Sequence, residues 1–185
     1  MNKKYILSVL GQDRPGIVAF VARTLAAGGW NIEDITQTIL QTEFAGIFLI
    51  TSDGAGQVDA LQKSLNAQLE SLELSARVKP MASVLPGLSK EQTEPFVVIA
   101  TGEDRVGTIS AIATVMEKFS ANINNLRTVQ RKDLGPNHAI MIYELDVPGD
   151  VELSDLRSEL EQAGSKLDLQ VSIQHRDIFE NIHRV

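Results

Sequence analysis

Two short segments hold the residues of this chain best suited to chemistry: GQDRPG at 11–16 and GEDRVG at 102–107. Each joins an apolar run to a stretch with helical periodicity. A strand-to-helix turn presents unpaired N–H groups and the positive end of a helix dipole, a natural seat for a carboxylate or phosphate. Arg14 and Arg105 add a formal charge. Asn31 and Asn122 follow shortly after each helical stretch. Their amides can donate to a carboxylate and accept from an ammonium group, so turn plus Asn matches the two ends of an amino acid. The same residues also have a purely structural reading. Gly11 would permit positive φ, Asp13 would accept from the first helical N–H groups, and Pro15 would take the first helical position. Gly16 would let the helix approach the sheet, and Asn31 and Asn122 would close the following turn. The residues alone leave both readings open.

Other chemistries find little support. His138, His175 and His183 are the only histidines, and none has metal-ligand or triad-like spacing to another. The pairs Glu33-Asp34 and Glu103-Asp104 are sequence neighbours, as solvated carboxylates commonly are. GxDRxG lacks the Gly-Lys-Ser/Thr of a phosphate-cradling loop. Cysteine is absent, which removes disulfides and thiolate chemistry. No catalytic group, metal or cofactor is therefore expected.

The wider composition points the same way. Hydrophobic residues make up 43% of 185, enough for real cores. No run approaches the ~18–20 apolar residues of a membrane span. The basic-then-apolar start, MNKKYILSVLGQDRPG, resembles a signal peptide, but its apolar run ends within six residues at the turn. It reads as a strand, and a cytoplasmic location is expected. The net charge is −7, with 7 basic against 8 acidic side chains over 1–80 and 10 against 16 over 81–185. Phosphate neutralisation usually demands a basic stripe, so direct nucleic-acid binding is not expected.

The elements that must position the two turns are themselves repeated. At an offset of 91, Gly11, Asp13, Arg14 and Gly16 match Gly102, Asp104, Arg105 and Gly107, and Asn31-Ile32 matches Asn122-Ile123. The offset then becomes 95: Leu61, Leu65, Leu74, Ala76 and Val78 match Leu156, Leu160, Leu169, Val171 and Ile173. A four-residue insertion follows, placed at KDLGPN (132–137) where the first copy has EFAG (43–46). Copy one predicts strands at 5–10, 31–41, 46–51 and 74–79. Its helices fall at 15–28, striped by Ile17, Val18, Val21, Ala22 and Leu25, and at 57–72, striped by Val58, Leu61, Leu65 and Leu72. Gly28-Gly29 would end the first helix. Copy two predicts strands at 96–101, 122–132, 138–147 and 167–174. One helix carries Ile109, Ile112, Ala113, Met116 and Phe119, the other Leu153, Leu156, Leu160 and Ala163.

The order is βαββαβ twice, an α+β chain of two ferredoxin-like units with antiparallel sheets and helices on one face. The expected domains are 1–82 and 96–175, with a linker at 83–95 and a tail at 176–185 that is either a short docking helix or frayed. VVIA and IFLI are apolar throughout, which predicts cover on both faces of each sheet, from the other copy or from a partner in a homodimer.

GQDRPGIVA, followed by LAAGGWNI and QT, resembles the start of an ACT domain. Two such domains over about residues 4–175, with nothing catalytic attached, resemble the glycine cleavage system transcriptional repressor family. The resemblance implies regulation without catalysis. It implies a small amino acid, with glycine the candidate, held between paired domains near the first turn. Carried over, the site residues are Gln12, Asp13, Arg14, Pro15, Gly16 and Asn31 in copy one, and Glu103, Asp104, Arg105, Val106, Gly107 and Asn122 in copy two. It also implies repression through a DNA-binding activator protein rather than DNA. Copy two departs from the signature, with Val106 in place of Pro15 and Ala121 in place of Trp30. A regulatory subunit of an amino-acid metabolic enzyme and a ligand-free interaction module remain open.

Overall fold

The computed structural model describes residues 3–52, 58–81 and 92–183. The chain divides into two compact units, Met1–Leu85 and Pro86–Val185. The first contains β1 (Lys3–Gln12), α1 (Ile17–Ala27), β2 (Asn31–Leu40), β3 (Glu43–Ser52), α2 (Val58–Leu69) and β4 (Leu74–Pro80). The second contains β5 (Thr93–Glu103), α3 (Thr108–Lys118), β6 (Asn122–Gln130), β7 (His138–Pro148), α4 (Leu153–Ser165), β8 (Gln170–His175) and α5 (Arg176–His183). Each unit is one four-stranded sheet, ordered β2-β3-β1-β4 and β6-β7-β5-β8, with every adjacent pair antiparallel. Two ferredoxin-like βαββαβ units in tandem are thus present.

The repeat holds at the level of single residues. Asn31 pairs with Thr51, and its equivalent Asn122 with Asp146. Both edge strands carry an irregularity at one place, between Ile32 and Asp34 and between Ile123 and Asn125. The offset changes inside the hairpin. Leu40 pairs with Glu43 across a tight turn at Gln41-Thr42, where Gln41 has φ 55. In copy two the equivalent link, Arg131 N–H to the His138 carbonyl at 2.7 Å, spans residues 132–137. The insertion is therefore where the sequence predicts it, but EFAG is not its counterpart. Those residues already belong to β3. The longer loop is tied by Arg131, whose guanidinium bonds Asp133 at 2.6 and 2.8 Å and draws that carboxyl down to about 2.

Strands alternate as a half-buried sheet must. Leu7 and Val9 of β1 and Phe48 and Ile50 of β3 face the helices, meeting Val21 and Leu25 of α1 and Leu61, Leu65 and Leu69 of α2. Val98, Ala100, Met141, Tyr143 and Leu145 meet Ile112, Met116, Leu156 and Leu160 in the second unit. Two predicted stripe positions differ. Leu69, not Leu72, completes the buried face of α2, and Ile109 is exposed while Thr108 is buried. On the far face of the first sheet Leu10 and Ile47 are exposed in the single chain. The predicted linker lies mostly outside the described residues, and its last positions, 93–95, open β5. LDLQVSIQ loses its first three residues to a turn through Asp168, φ 56. The tail forms a helix packed on β5 and β8.

Two glycines shape the route into each turn for different reasons. A Cβ on Gly11 would stand 2.4 Å from the Glu73 carbonyl oxygen, and one on Gly102 2.6 Å from Leu169 Cδ2 and 3.0 Å from the Asp168 carbonyl. The chain entering β4 or β8 thus crosses hard against β1 or β5. A Cβ on Gly16 would meet nothing within 4 Å, so close approach of helix and sheet is not its role. Its φ of 96 is, and Gly107 repeats it at 95. Gly11→Ala should lower Tm more than Gly16→Ala, since overpacking against backbone costs about 1–3 kcal/mol and an αL alanine about 1–2. Equal losses would contradict the crossing.

Tyr143 is fully buried and its hydroxyl reaches only Met141 Sδ at 3.9 Å. Burial, and then the charge of Asp104, push its phenol up to about 12. Below the ordinary tyrosine value of 10.0 both states keep the proton; between there and about 12 only the unfolded chain ionises, so stability falls as pH rises through that window. In a Tyr5→Phe background, tyrosinate absorbance should rise with a midpoint near 12, and a midpoint near 10 would contradict the burial.

Candidate functional site

Strand β1 is paired on both sides, so the chain can leave it only by rising out of the sheet. The Asp13 N–H donates to the Thr42 carbonyl at 2.8 Å and pins the start of the turn to the β2–β3 hairpin. Gly16, in the left-handed region, aims the chain back across the sheet and serves as the N-cap of α1. No side chain caps this end. The first bond closing the helix runs from the Phe20 N–H to the Gly16 carbonyl at 2.9 Å. The N–H groups of Ile17, Val18 and Ala19 therefore keep their donors free for an anion.

Beside this end lies a groove of about 480 Å³ between α1 and the hairpin, lined by Asp13, Arg14, Val18, Gln37, Ile39 and Phe44. Apolar walls, one guanidinium and an uncapped helix suit a small molecule carrying a carboxylate. The nearest carboxylate to Arg14 is Glu73, at 3.8 Å, a long and exposed contact. Such a pair holds its partners weakly, so Arg14 can turn to a ligand.

The second turn repeats the backbone and changes the charge. Asp104 N–H donates to the Asn137 carbonyl at 2.7 Å, and Gly107 is the N-cap of α3. Here the buried Thr108 ties the turn to itself. Its hydroxyl accepts from the Arg105 N–H, and its own N–H donates to the Arg105 carbonyl, both at 3.2 Å. The Arg105 guanidinium donates to Glu103 at 2.7 and 3.2 Å and to Asp168 at 3.4 Å. The hydrogen bond and charge of Glu103 raise its pKa further. Glu103 stands where the first copy has Gln12, which bears no charge. One guanidinium already answers two carboxylates; the other answers one, at a distance.

The placement of the remaining residues corrects the simple reading. Pro15 precedes the N-cap instead of opening the helix, and Asp13 contributes its backbone N–H instead of a capping carboxylate. Val106 projects fully into solvent. Gln12 and Glu103 pair with Glu43 and His138, at the turn end of each sheet. Asn31 and Asn122 pair with Thr51 and Asp146, eight residues away along β3 and β7. At ~3.4 Å per residue that separates Asn from turn by ~27 Å within one unit, far beyond the span of an amino acid. The structure brings the turn residues together in each unit and leaves each Asn at the opposite end. Gln37, Ile39 and Phe44 complete the first groove and lie outside the residues that the sequence singles out. The readable signal is the pair of apolar residues, Ile39 and Phe44, flanking a short hairpin.

Among the described residues no helix is long and apolar enough to cross a membrane. The ACT domain family model matches residues 4–79 and again 94–174. A UPF0237 protein of Methanopyrus kandleri is 35% identical over 89 residues, 48% of this chain and 96% of the relative. One from Methanocaldococcus jannaschii is 36% identical over 90 residues, with the same coverage. Each relative therefore corresponds to about half of this chain. Among solved structures, a protein from Galdieria sulphuraria aligns with TM-score 0.75 at 21% identity, covering 95% of this chain and 99% of its own. A candidate glycine cleavage system transcriptional repressor aligns with TM-score 0.68 at 18% identity, covering 94% and 97%. At these identities the likeness is one of fold over the full length. With both units matched by the family model, the chain belongs to the ACT domain family, regulatory rather than catalytic, and carries two ACT domains in tandem.

Proposed function

We propose that this protein is an amino-acid-responsive regulator whose effector, glycine, is held at the first turn by the uncapped start of α1 and by Arg14. The observation that carries this reading is the contrast between the two arginines: Arg105 is committed to Glu103 and Asp168, whereas among the described residues Arg14 has only the long contact to Glu73. The effector's carboxylate takes the free N–H groups and the guanidinium. Its ammonium group finds an acceptor in an Asn amide, Asn31 or Asn122. Because each Asn lies far from the turn of its own unit, a complete site draws its Asn from a second copy of the chain in a homodimer.

The output is repression of glycine cleavage genes through a DNA-binding activator protein. The full-length likeness in fold to a candidate repressor of that system supports it, as does a net charge of −7, which disfavours direct contact with DNA. Effector binding changes partner affinity only as far as the two unit arrangements differ in affinity for the effector.

A thermal-shift screen against each amino acid tests the sensor. Glycine at about 100 times its Kd should stabilise the protein by ~2.7 kcal/mol, while Arg14→Ala loses the response and stays within about 0.5 kcal/mol of wild-type stability. No shift with any amino acid would favour a ligand-free interaction module. Capture of an enzyme in place of a transcription factor would favour a regulatory subunit. Gly16→Leu is a poor probe, because the left-handed backbone there strains any side chain.

The contrast between copies has its own test. Gln12→Glu should give Arg14 the partner that Arg105 has, and weaken glycine binding about tenfold. Glu103→Gln should leave binding at the first site unchanged. Isothermal titration reads both, and unchanged affinity in Gln12→Glu would remove the charge argument.

A further inference from the structure

The two units differ a second time, at the far end of their helices. In the second unit α3 and α4 pack directly on each other, and Lys118 forms an ion pair with Glu159 across them. In the first unit α1 and α2 barely touch. A groove of about 620 Å³ opens between them. The residues equivalent to Lys118 and Glu159 are Ala27 and Ser64, too short to bridge, and both are at the groove. Beneath it stands Trp30, held edge-on to Tyr5 with ring centroids 5.3 Å apart, where the second unit has only Ala121. The indole lines the groove, and the one side-chain hydrogen bond across the two helices among the described residues is Thr24 to Gln68 at 3.2 Å.

Several side chains around this groove can donate. Arg23 lines it and makes no ion pair or hydrogen bond within the described residues. Thr24 donates to Gln68 Oε1 at 3.2 Å, and Gln68 Nε2 donates to Ser64 Oγ at 2.8 Å. Ser64 therefore keeps its own proton for a further acceptor. The Trp30 indole N–H has no acceptor within the described residues, and it is not among buried unsatisfied groups, so it meets solvent. Among the described residues no Asp or Glu lines the groove. Phe20, Leu61 and the Trp30 ring supply apolar surface. A cation, free hydroxyl and indole donors and aromatic walls favour an occupant with an anionic acceptor and a flat apolar body.

We propose that the groove between α1 and α2 of the first unit is a second ligand site, for a small organic carboxylate with a flat apolar body. It is distinct from the first-turn site. The two lie at opposite ends of α1, whose eleven residues span ~16 Å. The second unit has closed the equivalent position with Lys118, Glu159 and Phe119, so the site occurs once per chain.

Trp30 is the only tryptophan and lies at the groove, so its fluorescence reports occupancy there, and a parallel glycine titration shows what the neighbouring Asn31 contributes to the signal. Phenylacetate added to the full chain should change Trp30 emission saturably, and benzylamine, with the same ring and opposite charge, should not. Arg23→Ala should raise the phenylacetate Kd about tenfold, the loss of one charge-assisted hydrogen bond. Ala27→Lys with Ser64→Glu installs the second unit's ion pair and should abolish the response, while glycine-induced stabilisation persists in both variants. Should the double variant fold poorly, Arg23→Ala still decides, since that side chain is exposed. A wild-type protein that ignores phenylacetate, answers benzylamine equally, or binds undiminished in Arg23→Ala overturns the proposal.

Discussion

A strand hydrogen-bonded along both edges offers its chain one exit, out of the plane of the sheet. In both units that strand is the first, and a glycine at φ near 95 makes the exit. Because the turn is achieved by backbone alone, no capping side chain stands over the helix start. The free N–H groups at the start of α1 are thus a by-product of the topology. Around them the fold closes tightly: the residue before the last strand crosses within van der Waals reach of Gly11 or Gly102, which fixes where Glu73 and Asp168 stand relative to the two arginines.

Duplication supplies the frame twice, and a few substitutions give the copies different properties. Glu103 in place of Gln12 satisfies Arg105 internally, while Arg14 is left with one distant partner. Thr108, buried behind the second turn, ties that turn to itself, where the first copy has Ile17. At the other end of the helices, Trp30 with Ala27 and Ser64 leaves an opening that Ala121, Lys118 and Glu159 close. Both differences run one way. At these two places the first unit leaves Arg14 and Arg23 loosely held beside concave surface, and the second pairs Arg105 and Lys118 internally.

Much of the fold is legible in the sequence because its signals are local. Strand alternation, helical stripes and the glycine-bounded turns each depend on neighbours in sequence, and the jump in offset from 91 to 95 locates the insertion within the hairpin that holds it. The turn residues are legible for the same reason. What escapes depends on which elements face each other. Asn31 follows the turn by fifteen residues, yet α1 carries the chain to the opposite end of the sheet, so proximity in sequence misleads. Gly16 reads as a packing glycine, but whether a glycine serves space or φ is decided by the neighbours a Cβ would meet, and here there are none. Ile109 falls outside the buried stripe because Thr108, polar by type, is held in the core by a bond to the Arg105 N–H. The groove beside Trp30 needs two helices compared across two units, which no single stripe reveals.

The central claim is that the effector's carboxylate rests on the uncapped start of α1. Backbone amide NMR of the full chain during a glycine titration tests it most directly. The account predicts saturable shifts concentrated at the N–H groups of Gly16, Ile17, Val18 and Ala19, with those of Gly107 and Thr108 shifting little because Arg105 and Thr108 already satisfy that turn. Shifts centred on the second turn, or none at α1, would contradict it.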